Sequence, residues 1–268
     1  MEWRVILKNA AEAARKEVLR IYGSSEAVEA SGVGYGGDPI RKIDLAAENA
    51  IIRVLDGYGV ACTLISEESG IKTIGGGSDL YLVVDAVDGT ENALHGLPLF
   101  ATSLALSNGP NLSDVKMGLV LDLYHNMAFS AERSKGASLN WKTPINPSST
   151  TDLEKALIGI DLGAPKNELM IKRLFNILTK TRRFRQLGAV ALEICYVAAG
   201  SLDAFIDIRN RMRVVDVAAA FLILKESGGL LFTPEGLIPD IELKSRERLS
   251  LIAAGNIRIA ENILKSLA

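Results

Sequence analysis

Tyr81-Leu82-Val83-Val84-Asp85-Ala86-Val87-Asp88-Gly89-Thr90-Glu91-Asn92 runs from an apolar strand into two acids, a glycine and the start of a helix. Carboxylates at the C-terminal end of a strand are held by the backbone and face an open crevice. Asp85 and Asp88 are therefore candidates to hold a hard cation, because Mg²⁺ prefers oxygen ligands. Gly89 lets the backbone approach a ligand closely, and the N–H groups that open the next helix suit an anion such as phosphate. The competing reading is an Asp-Gly turn with Thr90 as helix cap. It explains less well why Asp85 ends an apolar strand.

Two further stretches share the pattern. Ile65-Ser66-Glu67-Glu68-Ser69-Gly70 is another apolar strand ending in two acids, and Arg213-Val214-Val215-Asp216-Val217-Ala218-Ala219-Ala220 sets an acid at the mouth of an apolar helix. Taken singly, the first reads as a solvated turn and the second as an N-cap aspartate.

Outward from the acids, residues 2–22 and 42–56 show helical periodicity, with the glycine-dense segment 31–39 between them. Strand signals follow at residues 61–66, 80–85, 101–107, 115–121 and 127–131, separated by short turns that favour antiparallel pairing. Residues 141–152 carry two prolines and a Ser/Thr run, and strands then alternate with helices to the C-terminus. The expected fold is a layered αβαβα sandwich of α+β and α/β character. An antiparallel sheet with helices fills an N-terminal domain (residues 1–145), and a mixed, mostly parallel sheet with helices fills a C-terminal domain (residues 146–268).

The composition narrows the function classes. Of 268 residues, 48% are hydrophobic and 23% charged, with a formal net charge of −2. That balance excludes a disordered chain and argues against a nucleic-acid partner. No apolar run is long enough to span a bilayer, and no secretory leader is visible at Met1-Glu2-Trp3-Arg4-Val5. Cys62 and Cys195 fall in apolar patterns and read as buried free thiols, so the expected location is cytoplasmic. His95 and His125 read as structural or surface residues. Neither G-x-x-x-x-G-K-[ST] nor a strand-following G-x-G-x-x-G occurs, which sets aside a nucleotide-binding α/β protein.

Glu67-Glu68-Ser69, the segment from Asp85 to Asn92, and Val215-Asp216-Val217-Ala218-Ala219 resemble, in order and spacing, the motifs of the inositol monophosphatase superfamily. Asp44-Leu45-Ala46-Ala47-Glu48 and Gly188-Ala189-Val190-Ala191-Leu192-Glu193 extend the resemblance over nearly the whole chain. It is most similar to the short archaeal and bacterial members, several of which hydrolyse both fructose 1,6-bisphosphate and inositol monophosphate. The resemblance implies a Mg²⁺-dependent phosphomonoesterase using two or three ions, with Mn²⁺ as a substitute, acting as a homodimer on a small phosphorylated substrate.

Carried over residue by residue, the resemblance makes Glu68, Asp85, Asp88, Asp216 and the carbonyl of Val87 metal ligands. Asp44 and Thr90 become the pair that orients and deprotonates the attacking water, and Glu67, grouped with them as catalytic, supports the metal site. The amides of Gly89 and Thr90 match a phosphate cradle, and Gly188, Ala189 and Val190 match a segment lining the sugar or inositol pocket. Ala86 and Val215 stand where the family commonly has Pro and Trp, changes that touch packing and no ligand. Arg185 and Arg209 are candidates for a second substrate phosphate, on the chemistry of guanidinium and phosphate. Fructose 1,6-bisphosphate 1-phosphatase activity with inositol-1-monophosphatase activity is the expected function. Phosphatases of 3′-phosphoadenosine 5′-phosphate or NADP are the alternatives within the class, and a non-catalytic metal-binding regulatory protein the alternative outside it. Residues 31–39 are expected to close over the substrate and help hold a third metal.

Overall fold

The computed structural model describes residues 2–33, 39–163 and 168–267. Helices α1 (Trp3–Ile21) and α2 (Ser25–Val28) lead to a small ribbon of β1 (Ala30–Val33) and β2 (Pro39–Arg41), followed by α3 (Lys42–Gly57). Next come β3 (Cys62–Ser66), β4 (Gly70–Ile74), β5 (Tyr81–Asp88), α4 (Thr90–Leu94), β6 (Ala101–Ser107), β7 (Val115–Asp122), β8 (Met127–Glu132), β9 (Ala137–Leu139) and β10 (Thr143–Pro144). The second half holds β11 (Leu157–Ile160), α5 (Glu168–Lys180), β12 (Arg183–Arg185), α6 (Val190–Ala198), β13 (Ala204–Met212), α7 (Val214–Ser227), β14 (Leu230–Phe232), β15 (Leu249–Ala254) and α8 (Ile257–Leu267). The centre of the glycine segment, residues 34–38, lies outside the described residues, and with it the expected lid.

The first large sheet has the order β10-β9-β8-β7-β6-β5-β3-β4. Its neighbours are antiparallel except β3 and β5, which run parallel. The second has the order β12-β11-β13-β15-β14, parallel on one side of β13 and antiparallel on the other. Both sheets are thus mixed.

Amphipathic spacing decides the layers. On α1, Ile6, Leu7, Ala10, Ala14, Val18 and Ile21 recur every three or four residues and are buried against α3 and one face of the first sheet. In contrast, α7 buries residues all round its circumference, which suits a helix with a sheet on either side. With α6 it fills the space between Val83, Ala105 and Val120 of the first sheet and Phe205, Leu251 and Ala253 of the second. Helices α5 and α8 cover the outer face of the second sheet. The result is the expected α-β-α-β-α sandwich. Cys62 and Cys195 are buried free thiols, as expected.

Two details differ from the sequence reading. Strand β4 pairs with β3 in a hairpin whose turn holds Glu67 and Glu68, where only a turn was legible. Helix α7 begins at Val214, so Asp216 is its third residue and Arg213 is the N-cap. The reason is a cap made from inside the helix: the Asp216 carboxylate accepts the Arg213 N–H at 2.7 Å, which extends the helix by a turn.

Candidate active site

Strand register places the acids. Ser66 on β3 lies opposite Val84 on β5 in a parallel pairing. Glu67, in the turn after β3, and Asp85, still paired with Ser103 of β6, therefore stand at the same level. Asp85 and Asp88 are three residues apart, a separation that puts side chains on opposite faces of a regular strand. An irregularity in the β5–β6 pairing between these two residues absorbs the mismatch. Each of the two is close enough to Asp216 for that charge to raise its pKa.

Glu67, Asp85 and Asp216 each offer a carboxylate oxygen, and the three lie within 4.8 Å of one another. Asp85 is 2% exposed and Asp216 7%. Burial pushes the Asp85 carboxyl well up, and the charges of Glu67, Asp88 and Asp216 push it further. A buried cluster of hard oxygen donors under mutual repulsion is the donor set a divalent cation relieves. Glu67, not Glu68, is the glutamate in this group. Glu68 stands one residue further round the hairpin, where burial and the charges of Asp44, Glu67 and Glu48 lift it to about 8.

Asp88 sits apart from the trio in its bonding. Its Oδ1 accepts the Val190 N–H at 2.9 Å and its Oδ2 the Ala191 N–H at 2.8 Å. The carboxylate thus covers the N-terminus of α6, where the helix dipole favours negative charge. Burial and the nearby Asp216 raise it to about 8 despite these donors. The junction is tight: Gly89 has φ +85°, and a Cβ there would meet Leu99 O at 2.8 Å, Ala189 Cβ at 3.0 Å and Gly188 O at 3.3 Å. Gly188, Ala189 and Val190 are therefore brought to the end of β5. Asn92 holds them there, its Nδ2 donating to Leu99 O at 2.8 Å and Leu187 O at 2.6 Å.

Thr90 opens α4 and faces α3. Its hydroxyl lies 3.0 Å from Asp44 Oδ1 and 2.9 Å from the Val87 carbonyl. Asp44 is the third residue of α3, and its Oδ2 accepts the Arg41 N–H at 3.2 Å. Burial lifts Asp44 to about 7, opposed by the Thr90 hydrogen bond and helped by the charge of Glu67. That value suits a group asked to take a proton near neutrality.

The arginines sort differently from the sequence reading. Arg209 is half-buried and doubly paired, with Nη2 2.6 Å from Asp161 and 2.7 Å from Asp207, so its charge is already compensated. Arg185 is exposed on β12, and its guanidinium donates to the Phe184 carbonyl at 2.8 Å. Arg213 is the arginine at the acids. It bonds Glu67 and lies 3.0 Å from Asp216 Oδ1. Burial works against its charge, but Asp216, Glu67 and Asp85 outweigh burial and hold the guanidinium protonated. The usable signal was the three-residue spacing from Arg213 to Asp216 at a helix start. Beside Glu67 and Arg213 opens a cavity of about 300 Å³, also lined by Lys244, Arg246 and Arg248. No helix of the described residues is long and apolar enough to cross a membrane.

Comparison with known proteins agrees with this geometry. The model of the inositol monophosphatase family matches residues 2–268. A fructose-1,6-bisphosphatase/inositol-1-monophosphatase of Methanothermobacter thermautotrophicus is 36% identical over 274 residues, covering 99% of this chain and 96% of that one. A bifunctional NADP phosphatase/NAD kinase of Methanococcus maripaludis is 31% identical over 269 residues, covering 93% of this chain and 46% of that one. Among solved structures, an inositol monophosphatase-fructose 1,6-bisphosphatase superposes with a TM-score of 0.87 at 29% identity, covering 99% of this chain and 100% of that one. The chain belongs to the inositol monophosphatase family and is a phosphatase of it.

Proposed function

We propose that the protein is a Mg²⁺-dependent phosphatase of sugar and inositol phosphates, with fructose 1,6-bisphosphate as first substrate and inositol 1-phosphate as second. The observation that carries this reading is the Thr90–Asp44 hydrogen bond next to the Glu67, Asp85 and Asp216 carboxylates. Glu67 takes the ligand role that the resemblance gave to Glu68, with Asp85 and Asp216 beside it and Asp88 and the Val87 carbonyl completing the set. A divalent ion bound there supplies positive charge to the phosphate oxygens and acidifies the attacking water.

The chain's own groups carry the proton. The Thr90 hydroxyl orients the water and takes its proton while passing its own to Asp44. The water oxygen bonds to phosphorus, the ester P–O bond breaks, and the leaving alkoxide takes a proton from solvent while Asp44 returns its own to solvent. Gly89 and Thr90 amides hold phosphate oxygens, and Gly188, Ala189 and Val190 line the sugar side. Lys244, Arg246 and Arg248 in the neighbouring cavity join Arg185 and Arg209 as candidates to meet a second substrate phosphate. By family resemblance we also propose a cytoplasmic homodimer.

The test is a panel of kcat/KM values with and without Mg²⁺ and Mn²⁺ for fructose 1,6-bisphosphate, inositol 1-phosphate, 3′-phosphoadenosine 5′-phosphate and NADP. Fastest Mg²⁺-dependent turnover of fructose 1,6-bisphosphate is expected. NADP as the preferred substrate would replace the sugar reading, and a chain inert towards all four would favour the regulatory one.

A further inference from the structure

We propose that Arg213 is a built-in counter-cation that competes with the divalent ion for Glu67 and Asp216, so that metal must displace it to bind. The inference rests on the metal-site reading above and adds an element that reading does not need. Four contacts define it. The Arg213 backbone N–H donates to Asp216 Oδ2 at 2.7 Å, and Nε donates to Oδ1 of the same carboxylate at 3.1 Å. Nη2 lies 3.0 Å from Asp216 Oδ1, and Nη1 bonds Glu67 Oε1. The guanidinium fork thus joins two of the three carboxylates that converge within 4.8 Å.

The chemistry makes the two cations alternatives. A hard divalent ion takes carboxylate lone pairs at about 2.1 Å, much shorter than an N–H···O bond. Both oxygens of Asp216 and Oε1 of Glu67 already accept N–H bonds from Arg213, so a cation at these carboxylates competes with the guanidinium for their lone pairs. The paired side chains are only 21% exposed for Arg213 and 19% for Glu67, so water screens the attraction weakly. Arg213 has two opposed effects. It stabilises the metal-free protein by neutralising crowded acids, and it weakens the apparent metal affinity by the free energy of the pairing it gives up. Its backbone N–H stays on Asp216 in either state, because the helix cap does not depend on the side chain.

Arg213→Gln separates this role from ordinary support of the fold. Two quantities are measured on the purified full chain: Mn²⁺ affinity by electron paramagnetic resonance, and the melting temperature in chelator. The expected result is a lower melting temperature without metal together with about tenfold tighter Mn²⁺ binding, equivalent to ~1.4 kcal/mol. Unchanged or weaker Mn²⁺ binding with a lower melting temperature overturns the proposal, since Arg213 would then only support the fold. If Arg213→Gln does not fold, Arg213→Lys keeps the charge and loses the fork, and a smaller tightening is expected; no tightening overturns the proposal equally. Wild-type protein that binds Mn²⁺ no better than an Asp85→Asn variant would overturn the metal-site reading itself, and this proposal with it.

Discussion

Asp88 accepts the N–H of Val190 at 2.9 Å and of Ala191 at 2.8 Å across 102 and 103 residues of sequence. One acid from the end of β5 thereby fixes the start of α6, the helix that lies between the two sheets. The same carboxylate is a proposed metal ligand, so its replacement separates charge from fold. Asp88→Asn keeps one acceptor oxygen for the helix and loses the negative charge. We expect a folded protein destabilised by about 1–2 kcal/mol, with Mg²⁺-dependent turnover lower by orders of magnitude. Denaturant melts and steady-state rates check both halves, and near-wild-type turnover refutes the role.

Asp44 gives the reaction its pH dependence. Burial lifts this carboxyl to about 7, and only its ionised form can take a proton from Thr90. The rate at saturating Mg²⁺ is therefore expected to rise with pH on a limb centred below the metal-free value of about 7 and to level off above it. Bound cations shift that limb downward, because positive charge favours the carboxylate. Asp44→Asn should remove the limb and lower kcat by about 10²–10⁴-fold, the usual worth of a positioned base. A variant that keeps the wild-type profile would assign the proton to another group.

Gly89 is held in place by both its conformation and its surroundings. Its φ of +85° disfavours any side chain, and a Cβ would lie 2.8 Å from Leu99 O and 3.0 Å from Ala189 Cβ. Gly89→Ala is expected to cost about 2 kcal/mol or more, by backbone strain and overpacking together. The loss should be read in activity as well as in melting temperature, because relief comes by moving α6 away from Asp88. An alanine variant with wild-type stability and turnover would show the junction to be slack.

The layers of the fold were legible because their signals are local. The helical spacing of apolar residues along 2–22, of which Leu7 and Val18 are buried, specifies a one-sided helix, and the unbroken apolar run of β5 specifies a strand buried on both faces. The acids of the site were legible as strand-end carboxylates. The placing of Glu67 rather than Glu68 beside Asp85 was not, since it depends on the parallel register that sets Ser66 opposite Val84, and register is a property of two strands. The surroundings of the arginines were not legible for a related reason. Arg209 and Arg213 look alike in sequence, but Arg209 folds back onto Asp161 and Asp207, while Arg213 caps α7 and reaches Glu67. Asp161 and Glu67 lie in segments far from either arginine, so no local pattern announces those two partners, although Asp207 and Asp216 stand within three residues of them.

Glu193 offers a stability test that needs no substrate. It is fully buried on α6, with oxygens accepting the Leu187 N–H at 3.4 Å and the Gly188 N–H at 3.2 Å. Burial lifts its carboxyl to about 8 from the ordinary glutamate value of 4.5, opposed by the Leu187 N–H and helped by the charges of Asp161 and Asp88. Between those two pH values the folded state holds a proton that the unfolded chain has released. Stability must then fall as pH rises through that window and stay low above about 8. Glu193→Gln keeps an acceptor oxygen and cannot ionise, so it escapes the loss. In chelator, the variant is expected to melt close to wild type at pH 5 and clearly above it at pH 9. A gap that does not widen with pH would mean that Glu193 is ionised in the folded protein, compensated by a cation that its neighbours Leu187 and Gly188 do not supply.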